Sequence, residues 1–184
     1  MAVERAAAER AVADLLVALG ADPHAAHLAA TPRRVATALE RLLTPRPLDG
    51  RTFTSDAVDD GLVVARDIRF RSLCAHHLVP FDGVAHVGFV PDGHTVGLSK
   101  LARIVEWCAR DLQVQERLTR QIASRVQCVL APKGVGVVVE AEQACESTRG
   151  ERAVTSTVLG VLQEDRRARH EFMALARSGR TTAD

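Results

Sequence analysis

Cys74-Ala75-His76-His77 and, far downstream, Cys145 are the residues of this chain best suited to chemistry. Two thiolates and one imidazole, Cys74, His77 and Cys145, make a three-ligand set for Zn2+ that leaves a fourth position open. Structural zinc is closed by four protein ligands, whereas catalytic zinc keeps a position for the water it activates. Spacing alone leaves a second possibility, a structural histidine pair beside two ordinary core cysteines. If the strand before Cys145 stays extended, Gln143 shares its face, because side chains alternate with a period of two. Cys74 and His77 converge only where the chain turns, and the turn-forming residues of Leu78-Val-Pro-Phe-Asp-Gly83 allow that. His76 then projects near the metal without binding it.

A second group of residues is suited to anions. Gly97-Leu-Ser99-Lys100-Leu-Ala-Arg103 opens a helix with two cations one turn apart, and helix N-termini reinforced by Lys and Arg bind phosphate. An exposed helix start with no ligand has the same pattern. Gln113-Val-Gln115-Glu116-Arg117 places a carboxylate near another helix start, where it suits the dipole and is also able to read the N–H edge of a guanine. Arg149, four residues past Cys145, adds a cation.

The elements that must position these groups follow from periodicity. Ala8, Val12, Leu15, Leu16 and Leu19 recur at helical spacing over residues 2–19, with Gly20 as the stop. Thr31-Pro32 predicts an N-cap followed by proline at the first helical position, with Val35, Leu39, Leu42 and Leu43 as the buried stripe. Residues 44–50 read as a linker. The period then changes to two, with strands over 62–71 and 84–90 and a loop at 91–94. Ser99 is expected to cap a helix whose Leu101, Ile104, Val105, Cys108 and Leu112 share a face, and Val114 to Val129 mark the next helix. Val135, Val137 and Val139 open a third strand running to Cys145, Val154 to Val161 form a fourth, and 178–184 are a tail. Cys108 and Cys128 are expected to be packing residues of the helices.

The order α-α-β-β-α-α-β-β excludes a doubly wound parallel sheet, in which strands and helices alternate singly. It predicts an α+β protein: two antiparallel strand pairs against a helical layer, with residues 1–50 as an N-terminal helical segment and 51–184 as the catalytic domain. A small curved sheet leaves edges that other subunits would close. Lys and Arg total 24 against 23 Asp and Glu, which gives no general attraction to nucleic acid or to an anionic membrane. No stretch approaches the ~20 apolar residues of a membrane span, and no uninterrupted apolar run follows the N-terminus. The expected location is cytoplasmic, where four cysteines serve metal or core rather than disulfides.

Taken in order, CxHH at 74–77, GLSKxxR at 97–103, QVQERLTxQI at 113–122 and CxxxRG at 145–150 resemble the GTP cyclohydrolase I family. ATPRRV at 30–35 and RHEF at 169–172 resemble its flanking segments, so the likeness spans roughly residues 30 to 175. The resemblance implies the tunnelling fold (T-fold), a ββααββ unit preceded by helices and assembled as a toroidal homo-oligomer, a decamer with sites between subunits. It implies that Cys74, His77 and Cys145 hold zinc, and that His76 is an acid/base residue. It further implies that Glu116 binds the guanine edge of GTP or a related purine nucleotide, with Gln115 and Ser99 nearby, and that Lys100, Arg103 and Arg149 bind the triphosphate. Arg34 would reach a neighbouring subunit's site. The implied reaction is opening of the guanine imidazole ring at C8, loss of formate and closure to 7,8-dihydroneopterin triphosphate, an early step of folate and pteridine synthesis.

Two positions depart from the family's pattern. Ala75 stands where the family usually has Glu, and Gln143 where it usually has His. A glutamine offers hydrogen bonds but carries no proton near neutral pH. Two further readings therefore stand beside the first: an enzyme that stops at the ring-opened formamidopyrimidine nucleotide, and a nucleotide-binding paralogue without turnover. Retention of the metal-ligand types and the phosphate cations speaks against the last.

Overall fold

A computed structural model of the chain describes residues 3–48, 53–54, 61–95, 97–142 and 152–178. It resolves into two compact units, Met1–Pro45 and Arg46–Asp184.

The first unit is a helical pair, α1 (Arg5–Ala18) and α2 (Thr31–Leu43). α1 ends as the sequence requires. Gly20 has φ +79°, its N–H reaches Val17 O, and Ala21 N–H reaches Leu16 O, the paired bonds of a Schellman cap that a left-handed glycine makes possible. Two expectations fail in detail. Thr31 is the first helical residue rather than the cap, which falls on Ala30 with no side-chain bond. The stripe of α2 is only partly covered: Ala36 alone is buried, Val35 is exposed, and no residue of α1 is buried. Arg5 links the two helices instead, donating to Thr37 Oγ1 at 2.6 Å and lying 3.7 Å from Glu40.

The second unit is α+β. Its strands are β1 (Phe53–Thr54), β2 (Val63–Cys74), β3 (Pro80–Val90), β4 (His94–Thr95), β5 (Leu112–Gln113), β6 (Gly134–Glu142) and β7 (Arg152–Gly160). Its helices are α3 (Leu98–Ala109), α4 (Gln115–Leu130), α5 (Val161–Glu164) and α6 (Arg166–Arg177). β1 and β4 form a two-residue ribbon, and the remaining strands form one sheet in the order β5-β2-β3-β6-β7. The two expected antiparallel pairs are thus one continuous antiparallel sheet, joined where β3 runs against β6 from Asp82↔Glu142 to Val90↔Gly134.

One face carries the main core. Phe70, Phe81, Ala85, Val87 and Phe89 meet Val135, Val137 and Val139 on the sheet, and Leu101, Ile104 and Val105 of α3 with Leu118, Ile122 and Val126 of α4 cover them. The opposite face carries a second apolar cluster where α6 lies, a helix that periodicity did not mark. Phe172 is fully buried there above Gly88 and Gly136, which are register partners. A Cβ on Gly88 would stand 2.7 Å from the Phe172 ring and one on Gly136 2.6 Å from it. The two glycines are therefore a slot, the close-approach use of glycine in a strand. Elsewhere this face carries Arg69, Asp82, Glu140, Glu142 and Arg152, which line a cleft of about 320 Å3.

β2 is interrupted by a bulge between Ala65 and Ile68, where Asp67 has φ +56° and its N–H points at His86 Nδ1, 3.4 Å away. Cys108 is buried as expected, and desolvation pushes its thiol up to about 12. Cys128 corrects the packing assignment: it lies on α4 but is exposed.

Candidate functional site

The β2–β3 hairpin builds the first part of the site. Cys74 closes β2 and is buried, with 7% of its surface exposed. Its N–H donates to Val79 O and its carbonyl accepts from Leu78 N–H, both at 2.9 Å. The reversal is made by Leu78 at φ +54°, and Pro80 to Gly83, expected to belong to the turn, are already strand. Leucine in the left-handed region is uncommon and strained. The turn brings Cys74 Sγ to 3.8 Å from His77 Nδ1. His76 and His77 are exposed, with ring centroids 6.2 Å apart and planes near perpendicular.

The pair fits a metal. Tetrahedral zinc with a sulfur at about 2.3 Å and a nitrogen at about 2.0–2.1 Å sets its donors roughly 3.5 Å apart, close to the separation found. Among the described residues no group of three ligating side chains converges. Cys145, the third expected ligand, lies outside the described residues, as do Gln143 and Arg149.

β5 brings a second element to the hairpin. Leu112 and Gln113 pair in parallel with Leu73 and Cys74, and Ala75 N–H donates to Gln113 O at 2.9 Å. Leu112 thus belongs to this strand and not to the α3 stripe. Gln113 is fully buried; Nε2 donates to Cys108 O and Gln121 Oε1, each at 2.7 Å, and Oε1 accepts from Arg117 Nε at 3.1 Å. Ser72 Oγ donates to Ala109 O at 2.6 Å, fastening the end of α3 to β2. The sequence reading gave neither Ser72 nor Gln113 a role. The available signal was a polar residue at a position that strand or helix spacing turns inward, since a buried amide must satisfy its bonds and so fixes its surroundings.

α4 starts one residue beyond β5, which sets Glu116 in its first turn, exposed and favourably placed at the positive end of the helix. Gln115 faces the other way. It is buried, and its Nε2 lies 3.1 Å from Val139 O, 3.0 Å from Ala153 O and 3.3 Å from Thr155 Oγ1. Its amide N–H groups are occupied within the sheet.

Lys100 and Arg103 lie at the far end of α3. Nine residues separate Lys100 from Ala109, about 14 Å along a helix axis, and it is Ala109 that touches β2 beside Cys74. Gly97, not Ser99, is the N-cap, and no side chain caps the helix; Ser99 is exposed on its first turn. Lys100 is buried, with 7% exposed, while Arg103 is exposed and its Nη2 reaches Pro47 O at 3.5 Å. Arg34 is exposed on α2, in the other unit. Within one chain the structure therefore joins Cys74, His76, His77 and the start of α4, and keeps the cations of α3 apart from them.

The site's geometry is thus a cysteine and a histidine 3.8 Å apart, with a carboxylate at a neighbouring helix start. The family model described as GTP cyclohydrolase I matches residues 8–177. "GTP cyclohydrolase 1" of Gloeobacter violaceus is 50% identical over 176 residues, covering 90% of this chain and 81% of that protein. The protein of the same name from Streptomyces avermitilis is 49% identical over 178 residues, 91% of this chain and 88% of that one. That from Rattus norvegicus is 45% identical over 177 residues, 91% and 73% respectively. The chain belongs to the GTP cyclohydrolase I family.

Proposed function

We propose that the protein is a zinc-dependent GTP cyclohydrolase that opens the guanine imidazole ring at C8, releases formate and forms 7,8-dihydroneopterin triphosphate. The observation that carries this reading is the 3.8 Å approach of Cys74 Sγ to His77 Nδ1 at a turn braced by β5. Cys145 completes the ligand set. When bound, zinc would lower the pKa of a coordinated water and supply a nucleophile at neutral pH.

The chain's own residues have separate tasks. His76 gives and takes protons at the purine, since its exposed imidazole beside the ligand loop is open to a bound substrate. Glu116 accepts the N–H edge of guanine, with Gln115 holding the start of α4 in place and Ser99 at the substrate. Lys100, Arg103 and Arg149 bind the triphosphate. The length of α3 favours a site shared between copies, in which one subunit's hairpin faces another's cations and Arg34 reaches across as well. The outer edges of the sheet, β7 on one side and β2 ahead of its two-residue pairing with β5 on the other, supply the means of assembly, in the toroidal T-fold arrangement with residues 51–184 as its catalytic domain and residues 1–50 as a helical addition, a decamer working in the cytoplasm. No helix among the described residues is long and apolar enough to cross a membrane.

Gln143 favours one variation. A glutamine cannot relay a proton, and expelling formate and rearranging the ribose need more transfers than ring opening does. On this second reading the later steps slow by roughly 10²–10⁴, and a formamidopyrimidine nucleotide accumulates. Mass analysis of the product from GTP and zinc-loaded protein separates the readings: formate loss with pterin formation supports the first, water addition alone the second, and unchanged GTP rejects both. Cys145→Ala should lose zinc while Cys108→Ala keeps it. Equal zinc content in the two variants would remove Cys145 from the ligand set.

A further inference from the structure

The start of α4 is held not only through β5 but by a closed ring of hydrogen bonds through Gln115, Thr119 and Thr155. Thr119 is buried one turn along the helix, and its Oγ1 donates to Gln115 O at 2.8 Å. The same oxygen lies 2.6 Å from Thr155 Oγ1 on β7. A hydroxyl has one proton to give. With that of Thr119 spent on the carbonyl, Thr155 is the donor of the short contact, and its own oxygen is left to accept from Gln115 Nε2 at 3.3 Å. The orientation of the amide is fixed as well, because turning it over would set its oxygen against the carbonyls of Val139 and Ala153, 3.1 and 3.0 Å away. Donation therefore runs one way round the ring: Gln115 side chain to Thr155, Thr155 to Thr119, and Thr119 back to the Gln115 main chain. Bonds in such a chain polarise one another, so opening one weakens the rest. Glu116 falls between Gln115 and Thr119, within the turn that the ring closes.

We propose that Thr119 and Thr155 are positioning residues for guanine specificity, which hold the first turn of α4 on β7 so that the Glu116 carboxylate meets both N–H groups of the guanine edge. This rests on the GTP reading above and adds to it two hydroxyls that act through Glu116.

A carboxylate that accepts two N–H bonds from guanine finds one fewer on inosine triphosphate, which lacks the exocyclic amino group. The ratio of kcat/KM for GTP to that for inosine triphosphate, read from consumption of each nucleotide by zinc-loaded protein, therefore measures the placement of Glu116. Thr155→Val keeps the volume and removes the hydroxyl. It should lower the ratio about tenfold, the scale of one hydrogen bond to a charged group, and Thr155→Ser should restore it. Thr119→Val should lower the ratio as far and the double variant no further, because the ring is already open. Thr155→Ala makes the same test if a valine variant fails to fold. Equal losses for the two nucleotides in Thr155→Val, no recovery in Thr155→Ser, or additive effects in the double variant overturn the proposal and leave the GTP reading standing. Glu116→Gln is the reference, and an unchanged ratio there removes Glu116 from guanine recognition and the proposal with it. A wild type that consumes neither nucleotide overturns the functional reading itself and what is built on it.

Discussion

The two faces of the central sheet are built on different rules. Under α3 and α4 four polar residues, Ser72, Gln113, Gln115 and Thr119, are buried, and each has partners within hydrogen-bond distance. They gather at the end of the sheet where Cys74 stands. The other face has a small apolar patch beneath α6 and, beyond it, exposed charges such as Arg71 and Asp82, whose paired hydrogen bonds at 2.7 and 2.8 Å stand in solvent. Buried hydrogen bonds are strong because water cannot replace them, and exposed ion pairs are weak because it can. The first face therefore fixes the geometry of the site, and the second contributes to stability mainly through one aromatic ring.

The largest effect should come from that ring. Phe172→Ala empties the slot over Gly88 and Gly136 and should cost about 3–5 kcal/mol in denaturant unfolding, while the Cys74 to His77 geometry, on the other face, keeps its zinc affinity. A parallel loss of zinc would show that the faces are not independent. Gln113→Leu should cost less, about 1–3 kcal/mol for the partners left behind, yet it should lower turnover more than Phe172→Ala does, because it releases β5 from the hairpin. Unfolding curves and kcat measured on both variants test the inversion.

Thiol labelling at pH 8 sharpens the contrast between buried and exposed positions. Cys108→Ala should leave the number of modified thiols unchanged, since burial holds that thiol protonated at about 12, and Cys128→Ala should remove one. The smallest effect is expected at Asp82, whose carboxyl is held below its usual range by its hydrogen bonds to Arg71 at 2.7 and 2.8 Å. A depressed carboxylate stabilises above its unfolded pKa, and that contribution disappears as pH falls through the lower folded value. The pair is exposed, so Asp82→Asn should leave the melting temperature at pH 7 nearly unchanged, and the small difference from wild type should vanish in acid. A shift of many degrees would contradict the rule for this face.

Much of this architecture was legible in the sequence because periodicity marks each element that has one wet and one dry side. Helices α3 and α4 and strands β2 and β7 are of that kind, whereas β3 and β6 are buried on both faces over 85–89 and 134–139 and were marked by their valines. α6 was missed because its sequence, RRARHEFMALAR, holds its burial to Phe172 and Ala176 amid charge, and the glycines that receive the ring carry no hydrophobic signal. The Cys74–His77 turn was foreseen, but not that a left-handed Leu78 makes it, since propensity argues against that residue there. Ser99 and Thr31 both failed as caps for a shared reason: the helix began one or two residues earlier than its polar signal. The separation of Lys100 from Cys74 could not be read from motif order, which records sequence and not which end of a helix meets the sheet.

The main-chain bonds of the hairpin have a mechanical meaning. Cys74, Ala75 and Leu78 each spend their N–H, on Val79, Gln113 and Cys74, so the segment carrying the two histidines has few internal ways to flex. Amide exchange should then show the N–H groups of Ala75 and Leu78 opening together with the first turn of α4, and independent opening would show that β5 does not couple the turn to Glu116.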